Sequence, residues 1–77
     1  MSKIELEKWI AENGTKKECE YFNGIRYAFV TMKDGWIAIF ECKGNGEYVP
    51  MIQAADIEHA RSYCEISEPV RVPINIL

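Results

Sequence analysis

The side chains of this chain that could carry chemistry are one histidine and three cysteines. His59 follows Asp56 by three residues, so on a helix the carboxylate could orient the imidazole ring of a general base. Cys64 lies five residues after His59, which turns it about 140° around a helix, whereas a cysteine–histidine pair needs both groups on one face. The spacing therefore predicts a surface histidine in the first turn of a helix and no catalytic pair.

The three cysteines are Cys19, Cys42 and Cys64. A disulfide framework in a secreted chain would favour an even number of cysteines. We therefore predict reduced thiols that pack as small hydrophobic groups and are chemically inert.

No metal or nucleotide motif is present. The sequence lacks C-x-x-C, H-x-x-x-H and H-E-x-x-H, so we expect no metal and no cofactor. Gly44-Asn45-Gly46 resembles half of a phosphate-binding loop, but it stands between two predicted strands and lacks a following helix N-terminus. We therefore interpret this segment as a hairpin turn. Because the sequence contains no catalytic motif, we also expect that the protein is not an enzyme.

Helix and strand patterns alternate clearly along the chain. Ser2 and Glu5 form a capping box that predicts a helix over residues 3–13, with Gly14 in a left-handed position at its end. Asp56 can cap a second helix over residues 57–66. Between them lie four segments typical of strands, namely Lys16–Phe22, Ile25–Met32, Trp36–Lys43 and Glu47–Ile52.

The end of the chain alternates again. A common face holds Val70, Val72, Ile74 and Ile76. Pro50 and Pro73 predict edge positions or bulges, because proline cannot donate to a ladder. The expected fold is α+β in one domain over residues 1–77: an N-terminal helix, an antiparallel four-stranded meander, a second short helix and a C-terminal edge strand or extended arm.

Two turn signals set the predicted strand register. Asn23-Gly24 and Asp34-Gly35 are both interpreted as two-residue hairpin loops. The first loop pairs Phe22 with Ile25, and the second pairs Val30 with Ile39.

This register gives the sheet two apolar faces. One is aliphatic and suits packing against both helices; it holds Cys19, Tyr21, Ala28, Val30, Met32, Ile37 and Ile39. The other, the predicted aromatic face, holds Phe22, Tyr27, Phe29, Trp36 and Phe40, flanked by Glu18 and Glu20. Monomers seldom leave so much apolar surface bare, so the C-terminal tail, a second copy or a partner protein is expected to cover it.

Composition narrows the function classes. The 77 residues carry a net charge of -3, and acidic residues outnumber basic ones 12 to 9, so nucleic acid is not the expected partner. The longest wholly apolar run, Trp36 to Phe40, is five residues, and no signal peptide is evident, so we expect a cytoplasmic protein without membrane contact.

We therefore expect a non-catalytic protein-binding or regulatory domain that acts through the aromatic face. Inhibitory accessory factors of phages and mobile elements are examples of this class. The expected partner is another protein or a second copy of the chain. A single-stranded nucleic-acid-binding module that uses the sheet aromatics, and a small thiol-dependent enzyme, are the alternatives.

Overall fold

The computed structural model describes residues 1–65. Two helices frame an antiparallel sheet whose strands follow chain order, β1-β2-β3-β4. The elements are α1 (Lys3–Asn13), β1 (Gly14–Phe22), β2 (Ile25–Met32), β3 (Ile37–Cys42), β4 (Tyr48–Ala54) and a second helix, α2, over residues 57–65. The predicted α+β architecture is confirmed; the predicted C-terminal strand or arm lies outside the described residues.

The capping box of α1 is formed as predicted. The Ser2 hydroxyl accepts a hydrogen bond from the Glu5 amide at 3.2 Å, and the Glu5 carboxylate accepts one from the Ser2 amide at 2.9 Å. These bonds satisfy amides that have no partner within the helix. They also lower the pKa of Glu5.

The predicted left-handed conformation of Gly14 is wrong. Its φ of -113° and ψ of 171° are extended, and the residue begins β1 directly. A Cβ at this position would lie 2.8 Å from Cγ1 of Val30. Glycine is therefore needed for close packing of the helix end onto the sheet.

The β1–β2 hairpin has the predicted register. Asn23 and Gly24 both have positive φ, 55° and 79°, as a two-residue type I′ loop requires. Phe22 pairs with Ile25, and the pairing continues without a shift to Lys16 opposite Thr31.

The β2–β3 hairpin is displaced by one residue from the prediction. The Met32 amide donates to the Trp36 carbonyl at 2.8 Å, which leaves a three-residue loop ending in Gly35. Gly35 has positive φ as predicted, but as the last residue of this longer loop. Asp34 accepts a hydrogen bond from the Trp36 amide and so holds the turn. As a result Val30 pairs with Ala38, not with Ile39.

The β3–β4 hairpin repeats this turn chemistry. The Lys43 amide donates to the Glu47 carbonyl, and Gly46 has a φ of 85°. Asn45 accepts a hydrogen bond from the Glu47 amide, as Asp34 does from Trp36. Gly44-Asn45-Gly46 is thus a hairpin loop, as predicted.

The one-residue shift exchanges the faces of β3, and the two helices cover opposite faces of the sheet. The α1 side is a core of Leu6, Ala28, Val30, Ala38, Phe40 and Tyr48. The α2 side is a core of Tyr27, Phe29, Ile37, Ile39, Ala60 and Cys64. The prediction that both helices share one aliphatic face is therefore wrong, because the register shift moves Ile37 and Ile39 to the face that carries Tyr27 and Phe29.

Helix α2 is fixed at both ends of its described part. The Asp56 carboxylate accepts a hydrogen bond from the His59 amide at 2.9 Å, which is the predicted N-cap. Arg61 donates to both carboxylate oxygens of Glu20 on β1, at 2.8 to 3.2 Å. Asn23 donates to the Glu65 carbonyl at 3.3 Å.

Candidate functional site

The five rings of the predicted aromatic face do not lie on one surface. Tyr27 and Phe29 are 2% exposed beneath α2, and Phe40 is 3% exposed on the α1 side. The Phe40 ring packs edge-on against Trp9, with centroids 5.5 Å apart. The prediction that all five rings share one face of the sheet is wrong, because the register shift places Phe40 on the α1 side, whereas Tyr27 and Phe29 lie beneath α2. Rings this deeply buried offer no plane on which a base could stack.

The other members of that set lie apart from one another. Phe22 is half-buried against Tyr27 and Phe29, and Trp36 is 46% exposed beside the β2–β3 loop. Glu18 pairs with Lys16 at 3.2 Å, whereas Glu20 is occupied by Arg61. A partner-binding role for these four residues stays a prediction.

Two of the three thiols, Cys42 and Cys64, are shielded from ionisation, and the histidine lies on the surface. Burial raises the pKa of the Cys64 thiol to about 12 and also raises the pKa of Cys42, so both remain protonated at neutral pH. The His59 ring is 73% exposed, and its Nδ1 lies 2.9 Å from the Asp56 carboxylate. Hydrogen bonds from the His59 amide and ring lower the pKa of Asp56.

The edge strand β4 exposes three large apolar side chains. We define the β4 flank as Val49, Met51 and Ile52, which are 37%, 36% and 47% exposed. β4 contains no charged residue, whereas β1, at the opposite edge, contains Lys16, Lys17, Glu18 and Glu20. Edge strands usually carry charge that discourages association, so the uncharged flank of β4 is the exception in this fold.

The backbone edge of β4, in contrast to its side chains, is obstructed. The Tyr48 amide donates to the Met1 carbonyl at 2.7 Å, and the Met1 nitrogen donates to the Tyr48 carbonyl at 3.0 Å. Two residues on, Pro50 presents its nitrogen to the same open side and has no hydrogen to donate. The register then shifts at a bulge, so that Phe40 pairs with Pro50 but Ile39 pairs with Ile52. The predicted edge position and bulge at Pro50 are both confirmed.

A notch of about 230 Å³ opens beside the β4 flank. Trp9 and Phe40 contribute its aromatic walls, and Pro50 and Met51 contribute the strand side. Its lining includes Gln53 but no charged residue. The notch could therefore receive one apolar side chain of a binding partner.

A second, polar depression lies at the β3–β4 hairpin. We define the Arg26 pocket as the depression of about 590 Å³ that includes Tyr21, Arg26, Cys42, Lys43 and Tyr48 among its lining residues. Tyr21, Arg26, Cys42 and Tyr48 are consecutive partners across the four strands, so they form one row on the α1 side of the sheet. This row was absent from the sequence prediction, because it appears only once the register of all four strands is known.

The sequence did contain a signal for the β4 flank. The seven residues of Tyr48–Ala54 lack charge altogether in a chain that is 27% charged. An uncharged edge strand indicates an interaction surface more directly than a count of aromatic residues, whose exposure depends on register.

Residues 1–65 contain neither a cluster suited to a metal ion nor a helix suited to crossing a membrane. Within residues 1–65, no group of three or more histidine, cysteine, aspartate and glutamate side chains is placed to hold a metal ion. The helices of this described part lack the combined length and apolarity that crossing a membrane requires. Comparison with protein-family models found no match, and comparisons with curated proteins and with solved structures likewise found no similar protein.

Proposed function

We propose that this protein is a non-catalytic, regulatory protein-binding domain and that a different protein binds to its β4 flank. The observation that carries this proposal is the absence of charge on β4 together with the exposure of Val49, Met51 and Ile52. Depletion of charge and enrichment of Met and Trp are typical of the centre of a protein interface.

The surroundings of the flank favour an interface centred there. Trp36 lies beyond the end of the β3–β4 pairing, since its neighbour Ile37 pairs with Ala54, and its side chain is 46% exposed. The notch lined by Trp9 and Pro50 offers a pocket for one apolar anchor of the partner. We propose that the partner presents an apolar patch with one protruding side chain.

The obstructed edge favours a different protein over a second copy. Two copies that met edge to edge through β4 would each bring the Pro50 gap and the Met1-capped Tyr48 to the same junction. Backbone pairing would then fail on both sides, and association would have to rely on the few side chains of the flank.

The environments of Cys42 and Cys64 support a non-catalytic role. A thiol nucleophile needs a lowered pKa, but the pKa values of Cys42 and Cys64 are raised.

Site-specific photo-crosslinking would test the proposal. A photoreactive amino acid placed at position 52 should capture the partner in cells of the source organism, whereas one placed at position 4 should not. Ile4 is the matched control, because it is also an isoleucine and is 67% exposed on α1.

Calorimetry with the purified partner would then compare the contributions of the β4 flank and of the α1 surface to the binding free energy. Ile52→Asp should cost about 2 kcal/mol or more of binding free energy, as expected for a residue at the centre of an interface. Ile4→Asp should leave the affinity unchanged, and circular dichroism should show that both variants are folded. Equal affinity of Ile52→Asp and the unmodified chain would reject the β4 flank as the binding surface.

A further inference from the structure

The Arg26 pocket carries an excess of positive charge in an acidic protein. Arg26 and Lys43 line it, and Nζ of Lys17, outside the lining, lies 5.8 Å from the ring centroid of the lining residue Tyr48. Glu41 is the carboxylate among its lining residues, and it is paired with Lys43 at 2.8 Å. The lining residues therefore carry one net positive charge, in contrast to the net charge of -3 for the whole chain.

The two arginines of the described residues differ in their partners. Arg61 is held by three contacts to the carboxylate of Glu20. No carboxylate within residues 1–65 lies at ion-pair distance from Arg26. A guanidinium group has five N–H donors in a planar fork that suits oxyanions, so Arg26 retains donors for a ligand.

The guanidinium of Arg26 is permanently charged, and its cross-strand neighbours are a tyrosine and a cysteine. Interaction with the Cys19 side chain raises the pKa of the guanidinium, and the adjacent Cys42 thiol is itself kept protonated by burial. Tyr21 and Cys42 flank Arg26 as its cross-strand partners on β1 and β3. Arg26 therefore presents a permanent positive charge to the pocket, whose lining carboxylate, Glu41, is paired with Lys43.

We propose that the Arg26 pocket binds a phosphate group of a small molecule, with Arg26 as its principal donor and Lys43 and Lys17 as supporting cations. A phosphate carries three strong acceptor oxygens and a charge of about -1.5 to -2 at neutral pH, so it can accept from the planar fork of Arg26 and still face a neighbouring lysine. This site is separate from the β4 flank, so the test does not depend on the proposed function.

Titration with inorganic phosphate at low ionic strength, followed by nuclear magnetic resonance of the backbone amides, tests the site. Saturable shifts are expected at Arg26, Lys43 and Gly44, and acetate, a monoanion, should bind more weakly. Arg26→Gln should weaken phosphate binding about tenfold or more, because hydrogen bonds to charged groups are lost. Arg26→Lys keeps the charge but loses the planar fork, so its phosphate affinity should lie between those of the unmodified chain and Arg26→Gln.

Arg61→Gln is the matched control, because it removes the same charge on the α2 side of the sheet. Both Arg61→Gln and Ile52→Asp should have the same phosphate affinity as the unmodified chain. Equal weakening by Arg26→Gln and Arg61→Gln would show only a general charge effect and overturn the proposal. Absence of saturation with a well-dispersed amide spectrum would overturn it as well.

Discussion

At the scale of single residues, the glycines of this chain meet different structural requirements. Gly24, Gly35 and Gly46 occupy the left-handed region that their turns require. Gly14 is extended, and it must lack a side chain because a Cβ there would lie 2.8 Å from Cγ1 of Val30. Sequence reasoning assigned Gly14 to the first class because a glycine after a helix is most often a cap.

Substitution of Gly14 should therefore cost stability through packing. Gly14→Ala places a methyl group 2.8 Å from Cγ1 of the fully buried Val30, and such overpacking costs about 1–3 kcal/mol. Gly44→Ala is the control, because a Cβ there has no neighbour within 4 Å, and its effect should stay within about 0.5 kcal/mol. Urea denaturation measures both; equal unfolding free energies for the two variants would contradict the packing argument.

Cys64 should make the protein less stable in alkali. Burial raises its pKa to about 12, above the value of about 8.5 for an unfolded chain. The unfolded state therefore loses the thiol proton first, and stability is fully present below about pH 8.5 and falls as pH rises toward 12. Thermal melts from pH 8 to 11 should show a steeper decline for the unmodified chain than for Cys64→Ala. Parallel declines would show that another group is responsible.

At the scale of elements, the hairpins explain both the success and the error of the sequence prediction. Asn23-Gly24 fills a two-residue loop, and the predicted pairing of β1 with β2 is correct. Asp34-Gly35 has the same apparent signal but forms the last two residues of a three-residue loop, because Asp34 bonds to the Trp36 amide. The dipeptide alone does not distinguish these loops, and one residue of shift moves every side chain of β3 to the other face.

That shift explains why the predicted sheet faces were wrong although the helices and strands lie close to their predicted positions. Helix and strand positions depend on local periodicity, which this sequence displays clearly. The faces depend on loop length, so Phe40 was assigned to the side of Phe29 when it packs beneath α1. The uncharged sequence of β4 does not depend on register, and it was the better indication of an exposed surface.

Helix α2 should be essential for covering Tyr27 and Phe29. Ala60 is fully buried in that interface, so Ala60→Glu places a carboxylate among apolar groups and should cost about 3 kcal/mol or more. Ser62→Glu introduces the same side chain at an exposed position of the same helix and should be nearly neutral. Tryptophan fluorescence during denaturation would compare them. Similar stability of the two variants would show that α2 does not cover this face.

At the scale of the whole molecule, the surface is divided by chemistry. The β1 edge carries mixed charge, the β4 flank carries none, and the Arg26 pocket concentrates positive charge in an acidic chain. Because α1 and α2 pack against opposite faces of the sheet, the strand edges and the β3–β4 hairpin remain as places for contact. The β4 flank, proposed to bind a protein, is therefore separate from the Arg26 pocket, proposed to bind an anion.

The same division predicts that the protein is a monomer and that Pro50 helps to keep it so. Pro50→Val restores an N–H on the open edge of an uncharged strand, which should permit pairing between β4 strands of two copies. Pro50→Lys restores the same N–H but adds a charge at the junction, so it should remain monomeric. Sedimentation velocity over a range of concentrations would show a rising mass for Pro50→Val alone. Association of both variants, or of neither, would mean that the missing donor at Pro50 does not control assembly.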